Sequence, residues 1–217
     1  MSGLGADALR ERFEVHGRFY EATLDGRKFE LRSHLEIFER SLAWPRAKQA
    51  RADLVAVMMN PGGSRPLRDV DSDGWAPALP DRTQYQLMRL ALLAQEGGRP
   101  VRHIRVINLS DLRTPKSAEL FATLATLSDD RHSIFSARRT TELHQALGRE
   151  RHALLLRAWG LSRQLEPLAA KAIAVTSDYK VLGLTDNDWA YRHPLPQRFD
   201  FQQRWLADMA RQIIAAN

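Results

Sequence analysis

The stretch LVAVMMNPGGSRP at positions 54–66 decides how the chain is read. Val55, Ala56, Val57, Met58 and Met59 form an unbroken apolar run that stops at Asn60, and Pro61, Gly62 and Gly63 follow. A run that is apolar throughout, rather than alternating, predicts a strand over 53–59 buried on both faces of a parallel sheet. Open α/β sheets hold ligands outside the C-terminal ends of such strands. An amide followed by two glycines, which let a ligand come close to the backbone, predicts a site at this end. The competing reading is a plain turn, because Asn, Pro and Gly are common turn formers.

Upstream, residues 6–13 predict a short helix. RFYEATLDGRKFELRSHLEIF at 18–38 sets Asp25-Gly26 between two alternating segments, which is a hairpin signal. Downstream, 63–81 is rich in Gly, Pro and Asp and predicts a long loop of the kind that often carries function. Residues 82–96 have helical periodicity, closed by Gly97-Gly98. IRVINL at 104–109 predicts a second buried strand that reaches Asn108. Helices are expected over 116–127, 136–148 and 161–171, and a third strand over 152–160. A fourth strand is expected near 172–176, with further extended chain at 180–185. A loop over 186–198 and an amphipathic helix over 199–215 close the chain. Strands alternating with helices predict a three-layer α/β/α fold with a mainly parallel central sheet. The expectation is a single domain over 1–217, with a helix and hairpin over about 1–45 as an N-terminal extension.

The chain has 217 residues, of which 44% are hydrophobic, enough for a full core. It has no cysteine, which excludes disulfides, cysteine nucleophiles, iron–sulfur clusters and cysteine-ligated zinc. No apolar run has the length of a membrane span or the form of a signal peptide, so a cytoplasmic protein without a membrane partner is expected. The net charge of +6 favours polyanionic partners, nucleic acid first, although arginine-rich composition alone would give the same surplus. No phosphate-binding glycine loop, dinucleotide fingerprint or serine nucleophile elbow occurs. The seven histidines include no pair four apart. Asp69, Asp71 and Asp73 alternate as hard-cation ligands can, but no downstream glutamate completes such a loop, so a solvated acidic loop is preferred. Neither metal nor organic cofactor is expected.

Three polar segments follow apolar ones: Asn60-Pro61-Gly62, Asn108-Leu109-Ser110 and His193-Pro194-Leu195-Pro196. Strand ends of a parallel sheet gather at one rim, where two amides and an imidazole suit a small planar polar group. Their order resembles that of the uracil-DNA glycosylase superfamily. VMMNPG resembles its first motif in the Asn-Pro-Gly form, INLSDL the strand whose Asn reads a pyrimidine edge, and HPLPQR the loop near the C-terminus. MMNPGGS, VINLSDLR, RAWG and LGLTDNDWAYRHPLPQ together resemble an uncharacterised bacterial domain family even more closely, over residues 28–197.

The resemblance implies a uracil-DNA glycosylase-like fold and a monofunctional enzyme, a monomer acting on double-stranded DNA with the target base flipped. It implies that Asn60 positions the attacking water, Asn108 binds the base edge and His193 stabilises the leaving base. Trp75 or Tyr85 is expected to stack on the base. Arg65, Arg192 and Arg198 flank the two motif loops and are candidate phosphate contacts. The usual wedge leucine is replaced by Gln197, with Leu195 two residues earlier. The fast uracil enzymes carry an aspartate at the Asn60 position and an aromatic residue at the Gly62 position. Without that aromatic, Gly62 and Gly63 leave space for a 5-substituted pyrimidine. Asp69, Asp71, Asp73 and Trp75 are then candidates for hydroxyl-rich groups such as the glucose of glucosylated hydroxymethylcytosine in phage DNA, with a role in phage defence. The alternatives are a non-catalytic nucleic-acid or nucleotide-binding module on the same fold, and a nucleoside or nucleotide hydrolase.

Overall fold

Successive residues of a strand point to opposite faces, and the 54–58 run is apolar because both faces are covered. Leu54, Ala56 and Met58 enter one hydrophobic core, while Val55 and Val57 enter another. A computed structural model describes residues 4–148 and 153–216. Helix α1 (Ala6–Arg12) precedes a long hairpin of β1 (Phe13–Leu24) and β2 (Arg27–Glu39). Asp25 and Gly26 turn it with positive φ of 46° and 74°, as a two-residue hairpin turn requires. Then come α2 (Trp44–Gln49), β3 (Leu54–Met58), β4 (Trp75–Pro77), α3 (Arg82–Glu96), β5 (His103–Asn108), α4 (Ser117–Thr126) and α5 (Thr140–Leu147). The chain closes with β6 (Leu154–Arg157), α6 (Glu166–Val175), β7 (Val181–Leu182) and α7 (Phe199–Ala215).

The strands form one seven-stranded sheet in the order β4-β1-β2-β5-β3-β6-β7. Strands β5, β3, β6 and β7 are parallel, while β4, β1 and β2 extend the sheet by antiparallel pairing. The sheet is therefore mixed, with its parallel part confined to four strands. The hairpin is not an appendage, since β2 pairs directly with β5. On one face α1, α3 and α7 contribute Leu9, Leu87, Leu90, Trp205 and Met209 to the larger core. On the other, Leu143 of α5 and Ala169 and Ala172 of α6 cover Val55, Val57 and Ile107. Helices thus lie on both faces, giving three layers. No helix among the described residues is long and apolar enough to cross a membrane.

Helix α3 begins and ends where the sequence indicates. Asp81 caps it by accepting the Gln84 N–H (2.9 Å), Gln84 Oε1 accepts the Asp81 N–H in return (3.3 Å), and Gly97 follows the last turn. Two expectations fail. Residues 172–176 are not a strand: AAKAIAV continues α6, started by Pro167 in its first turn, and buries Ala169 and Ala172. The strand is β7, inside the extended segment 180–185. The loop 63–81 also contains β4, which joins the outer edge of β1 through Trp75 opposite Arg18. The strand expected over 152–160 is observed over Leu154–Arg157, and His152 lies outside the described residues.

The hairpin carries one irregularity. Arg18 lies opposite His34 but Phe19 lies opposite Arg32, so Ser33 is an extra residue, a β-bulge. Leu35 and Ile37 lie on the larger-core face together with Val15 and Phe19. The bulge shifts the alternation by one step, so that Arg32 joins this face beside Phe19. Leu31 goes to the opposite side, against Leu24, Leu112 and Leu120.

Candidate functional site

Strands β3 and β5 run side by side with Met58 opposite Asn108. Their C-terminal ends open on a cavity of about 280 Å³ lined by Asn60, Gly62, Gly63, Asn108, His193 and Arg32. The start of α3 adds Asp81, Thr83 and Gln84 to the wall, and the rest is apolar, with Leu35, Met58, Met59, Leu87 and Val106. The volume sits at the small end of ligand pockets and suits one flat heterocycle.

Each polar group has a defined orientation. Asn60 Nδ2 donates to the carbonyl oxygens of Leu112 (3.1 Å) and Thr114 (2.9 Å). Both partners accept only, so the amide orientation is fixed and Oδ1 remains available as an acceptor. Asn108 is fully buried, and neither its Nδ2 nor its Oδ1 has a hydrogen-bond partner. Leaving such groups unpaired costs about 1–3 kcal/mol each, so a partner that enters the cavity is strongly favoured. His193 Nδ1 accepts the Leu195 N–H (3.1 Å), which puts the proton of the neutral ring on Nε2. Burial pushes the His193 pKa down, so the ring offers an N–H and no net charge near neutrality.

Arg32 and Gln84 are not anticipated from the sequence. Gln84 is buried on the first turn of α3, with Oε1 committed to the helix cap. Arg32 is 2% exposed, and its Nε and Nη1 are buried without partners. The alternation Phe29, Leu31, Ser33, Leu35, Ile37 assigns Arg32 to the opposite face, and only the bulge moves it to the cavity side.

Other expected site residues lie elsewhere. Trp75 is on β4, separated from β3 by three intervening strands, with its ring 5.0 Å from Trp44 and 6.2 Å from His34. Tyr85 faces away from the cavity, its hydroxyl accepting from Arg10 (2.7 Å). Neither can stack on a group in the cavity, where apolar aliphatic and thioether side chains form the walls instead. The Asp71 carboxylate accepts the N–H groups of Asp73 and Trp75 (2.9 Å each), and Asp73 pairs with Lys48 (2.6 Å). Asp73 and Trp75 line a separate polar cleft of about 740 Å³. Asp69 is exposed in the same loop and is absent from the cavity wall. Among the described residues no three His, Asp or Glu side chains converge as a metal site.

The rim arginines differ in availability. Arg192 pairs with Asp186 (2.6 Å), and Arg198 pairs with Asp200 (2.8 Å) and covers the Phe201 ring. Arg65 is exposed and has no carboxylate partner among the described residues. Leu195 is half-buried and Gln197 exposed.

Family models, curated proteins and solved structures give no match to the chain. The chemistry of the cavity is therefore read from its own residues. An acceptor on Asn60 can hold a water. The Asn108 amide can meet both a donor and an acceptor on one ring edge. His193 Nε2–H can donate to an oxygen that gains negative charge.

Proposed function

We propose that the chain is a DNA glycosylase that takes a flipped pyrimidine nucleotide into this cavity and hydrolyses its N-glycosidic bond, leaving an abasic site. The observation that carries the reading is the Asn108 amide, buried and unpartnered in a base-sized cavity that Asn60 and His193 also line. The order of the motifs MMNPGG, INLSDL and HPLPQR, similar to that of the uracil-DNA glycosylase superfamily, supports it further. An amide does not accept a proton at neutral pH, so Asn60 acts through its dipole, holding water while the C1′–N bond breaks ahead of attack. Among the described residues no lysine lines the cavity, and water is the proposed nucleophile.

The base is proposed to carry a 5-substituent. A side chain added at Gly62 would meet nothing within 4 Å, which leaves the rim open beside the base. A bulky substituent projects through this gap, because the cavity itself holds little more than the ring. The glucosylated hydroxymethylcytosine of phage DNA is the proposed extreme case, with phage defence as the setting. The acidic loop and Trp75, in their separate cleft, lend no support to direct sugar contacts.

The test is incubation with duplexes containing uracil, 5-hydroxymethylcytosine or its glucosylated form, followed by alkali. Strand breaks that vanish with Asn60→Ala support the enzyme. Binding without breaks supports a non-catalytic module, and release from free nucleosides only supports a nucleoside hydrolase. Rapid uracil release with none of the bulky base refutes the 5-substituent. If that substituent is right, Gly62→Tyr, which also strains a backbone held at a φ of 60°, removes activity on the bulky base while uracil release persists.

A further inference from the structure

Most cations buried or half-buried in this protein have a visible counterpart. In the polar cleft on the other face, Arg18 lies 3.5 Å from Glu142, Arg105 2.7 Å from Glu36 and Lys48 2.6 Å from Asp73. Arg139 pairs with buried Asp111 at 2.5 Å. Arg32 is different: it is more buried than any of these cations, and no carboxylate among the described residues pairs with it. A buried unpaired charge is among the most expensive arrangements a fold can retain. The site is also built to keep it. The bulge at Ser33 turns Arg32 onto the cavity face. Gly17 leaves room for its stem: the first atom of a side chain there would fall 3.2 Å from Arg32 Cδ and 2.8 Å from the Phe19 ring. Burial lowers the guanidinium pKa to about 10, so the group is still charged at neutral pH.

Arg32, Asn108 Nδ2 and His193 Nε2 give the cavity three donors, one of them a full cation; the Asp81 carboxylate also lines it and attracts Arg32 without pairing with it, its Oδ1 taken by the Gln84 N–H. Such a set fits a ligand that carries negative charge. A pyrimidine is neutral when it enters and becomes an anion only as the glycosidic bond breaks. The C1′–N1 electron pair then stays on the base, and charge spreads to its ring oxygens. A cation placed against it favours the transition state over the ground state. We propose that Arg32 is the catalytic residue that carries the negative charge of the departing pyrimidine. Water oxygen bonds to C1′ and its proton passes to solvent; the released base takes up a proton from solvent. This inference rests on the glycosylase reading and assigns it a leaving-group class: bases that depart as anions without prior protonation.

The experiment compares wild type, Arg32→Lys and Arg32→Met in single-turnover excision of uracil, 5-hydroxymethyluracil and 5-fluorouracil, whose leaving-group acidities differ. In Arg32→Met the rate on the poorest leaving group is expected to fall about 10²–10³-fold, the usual effect of deleting an electrostatic stabiliser. The loss is smaller for 5-fluorouracil, so the dependence on acidity steepens, and Arg32→Lys recovers most of the rate. Equal slowing on all three bases, or no slowing, overturns the proposal while leaving the glycosylase reading intact. A second arm needs no turnover: calorimetric titration with barbiturate, a pyrimidine trione that is anionic at neutral pH, and with neutral uracil. Wild type is expected to prefer barbiturate and Arg32→Met to lose that preference. Barbiturate binding that is unaffected by Arg32→Met also overturns the proposal. Arg32-dependent barbiturate binding without excision of any base overturns the glycosylase reading instead, and leaves a site for a ligand that arrives already anionic.

Discussion

Replacing Arg32 with methionine is expected to make the protein more stable while disabling its cavity. Methionine has a similar reach, is apolar and adapts to irregular surroundings. Burial pulls the Arg32 pKa down from the usual arginine value to about 10, with Asp81 and Asp111 opposing this only in part. At ~1.4 kcal/mol per pKa unit, keeping the charged form in place costs on the order of 3 kcal/mol. Replacing buried ions with apolar side chains of similar volume has gained about 1–4 kcal/mol in other proteins. A net gain of roughly 1–3 kcal/mol is therefore expected here, and at about 2–4 °C per kcal/mol for a chain of this size the midpoint rises by roughly 3–10 °C. The sign with pH follows from the lowered pKa. Above about pH 10 the folded state binds fewer protons than the unfolded chain, so the penalty is relieved there and is present in full below. The difference between the two proteins is thus expected to be constant from pH 6 to pH 8, as read by thermal unfolding at several pH values. A methionine variant that melts at or below the wild-type temperature refutes the reasoning, since it would mean that Arg32 is neutralised within the fold.

Other expectations rest on single contacts. Asn60→Ala removes the water-holding oxygen but no phosphate contact, so base release is lost while duplex affinity changes less than about threefold; parallel loss of both in a binding and excision assay makes Asn60 structural. Burial lowers the His193 pKa, so the fall in excision on acidification is expected at a lower pH than a free imidazole would give, and a pH–rate profile that drops at or above the ordinary imidazole value contradicts its role as a neutral donor. The stability associated with the neutral ring is correspondingly present above the unfolded imidazole pKa and lost as pH falls below it. Arg139→Met strands the fully buried Asp111 carboxylate and is expected to cost about 3–5 kcal/mol in urea unfolding, and a loss under 1 kcal/mol argues against the pair. Arg65→Ala lowers the slope of log affinity against log salt by about one, whereas Arg192 and Arg198, already paired with Asp186 and Asp200, have smaller effects; equal slopes for all three variants contradict this.

Much of the fold is visible along the chain because its causes are local. The 54–58 strand is apolar on both faces, and α3 carries its own cap at Asp81 and its own stop at Gly97. Asn60 and Asn108 come together because each ends a strand of the parallel set, and the 186–198 loop brings His193 to the same rim. What escapes the sequence depends on long-range pairing. Trp75 is fifteen residues from Asn60, yet β4 pairs with β1 and carries it to the far edge of the sheet. The IAV of 173–175 has strand-forming residues, but the alanines before it and the docking of Ala169 and Ala172 decide for helix. Arg32 is hidden for a third reason: Phe29, Leu31, Leu35 and Ile37 are in perfect alternation, and nothing in that pattern announces an extra residue at Ser33.

The bulge also governs how this strand can change in length. If Ser33 were lost by a single-codon deletion, Leu35 and Arg32 would be two steps apart in an ordinary strand and would still share a face. The charge would survive, and only the local kink would go. An insertion between Arg32 and Leu35 would instead set them four steps apart: a regular strand would keep Arg32 on the same face but two positions further out, and a retained bulge would turn Arg32 and Leu31 over. Length variation at this point is therefore asymmetric: a strand one residue shorter keeps Arg32 opposite Phe19 and in phase with Leu35, whereas one residue longer moves it along the strand or out of phase.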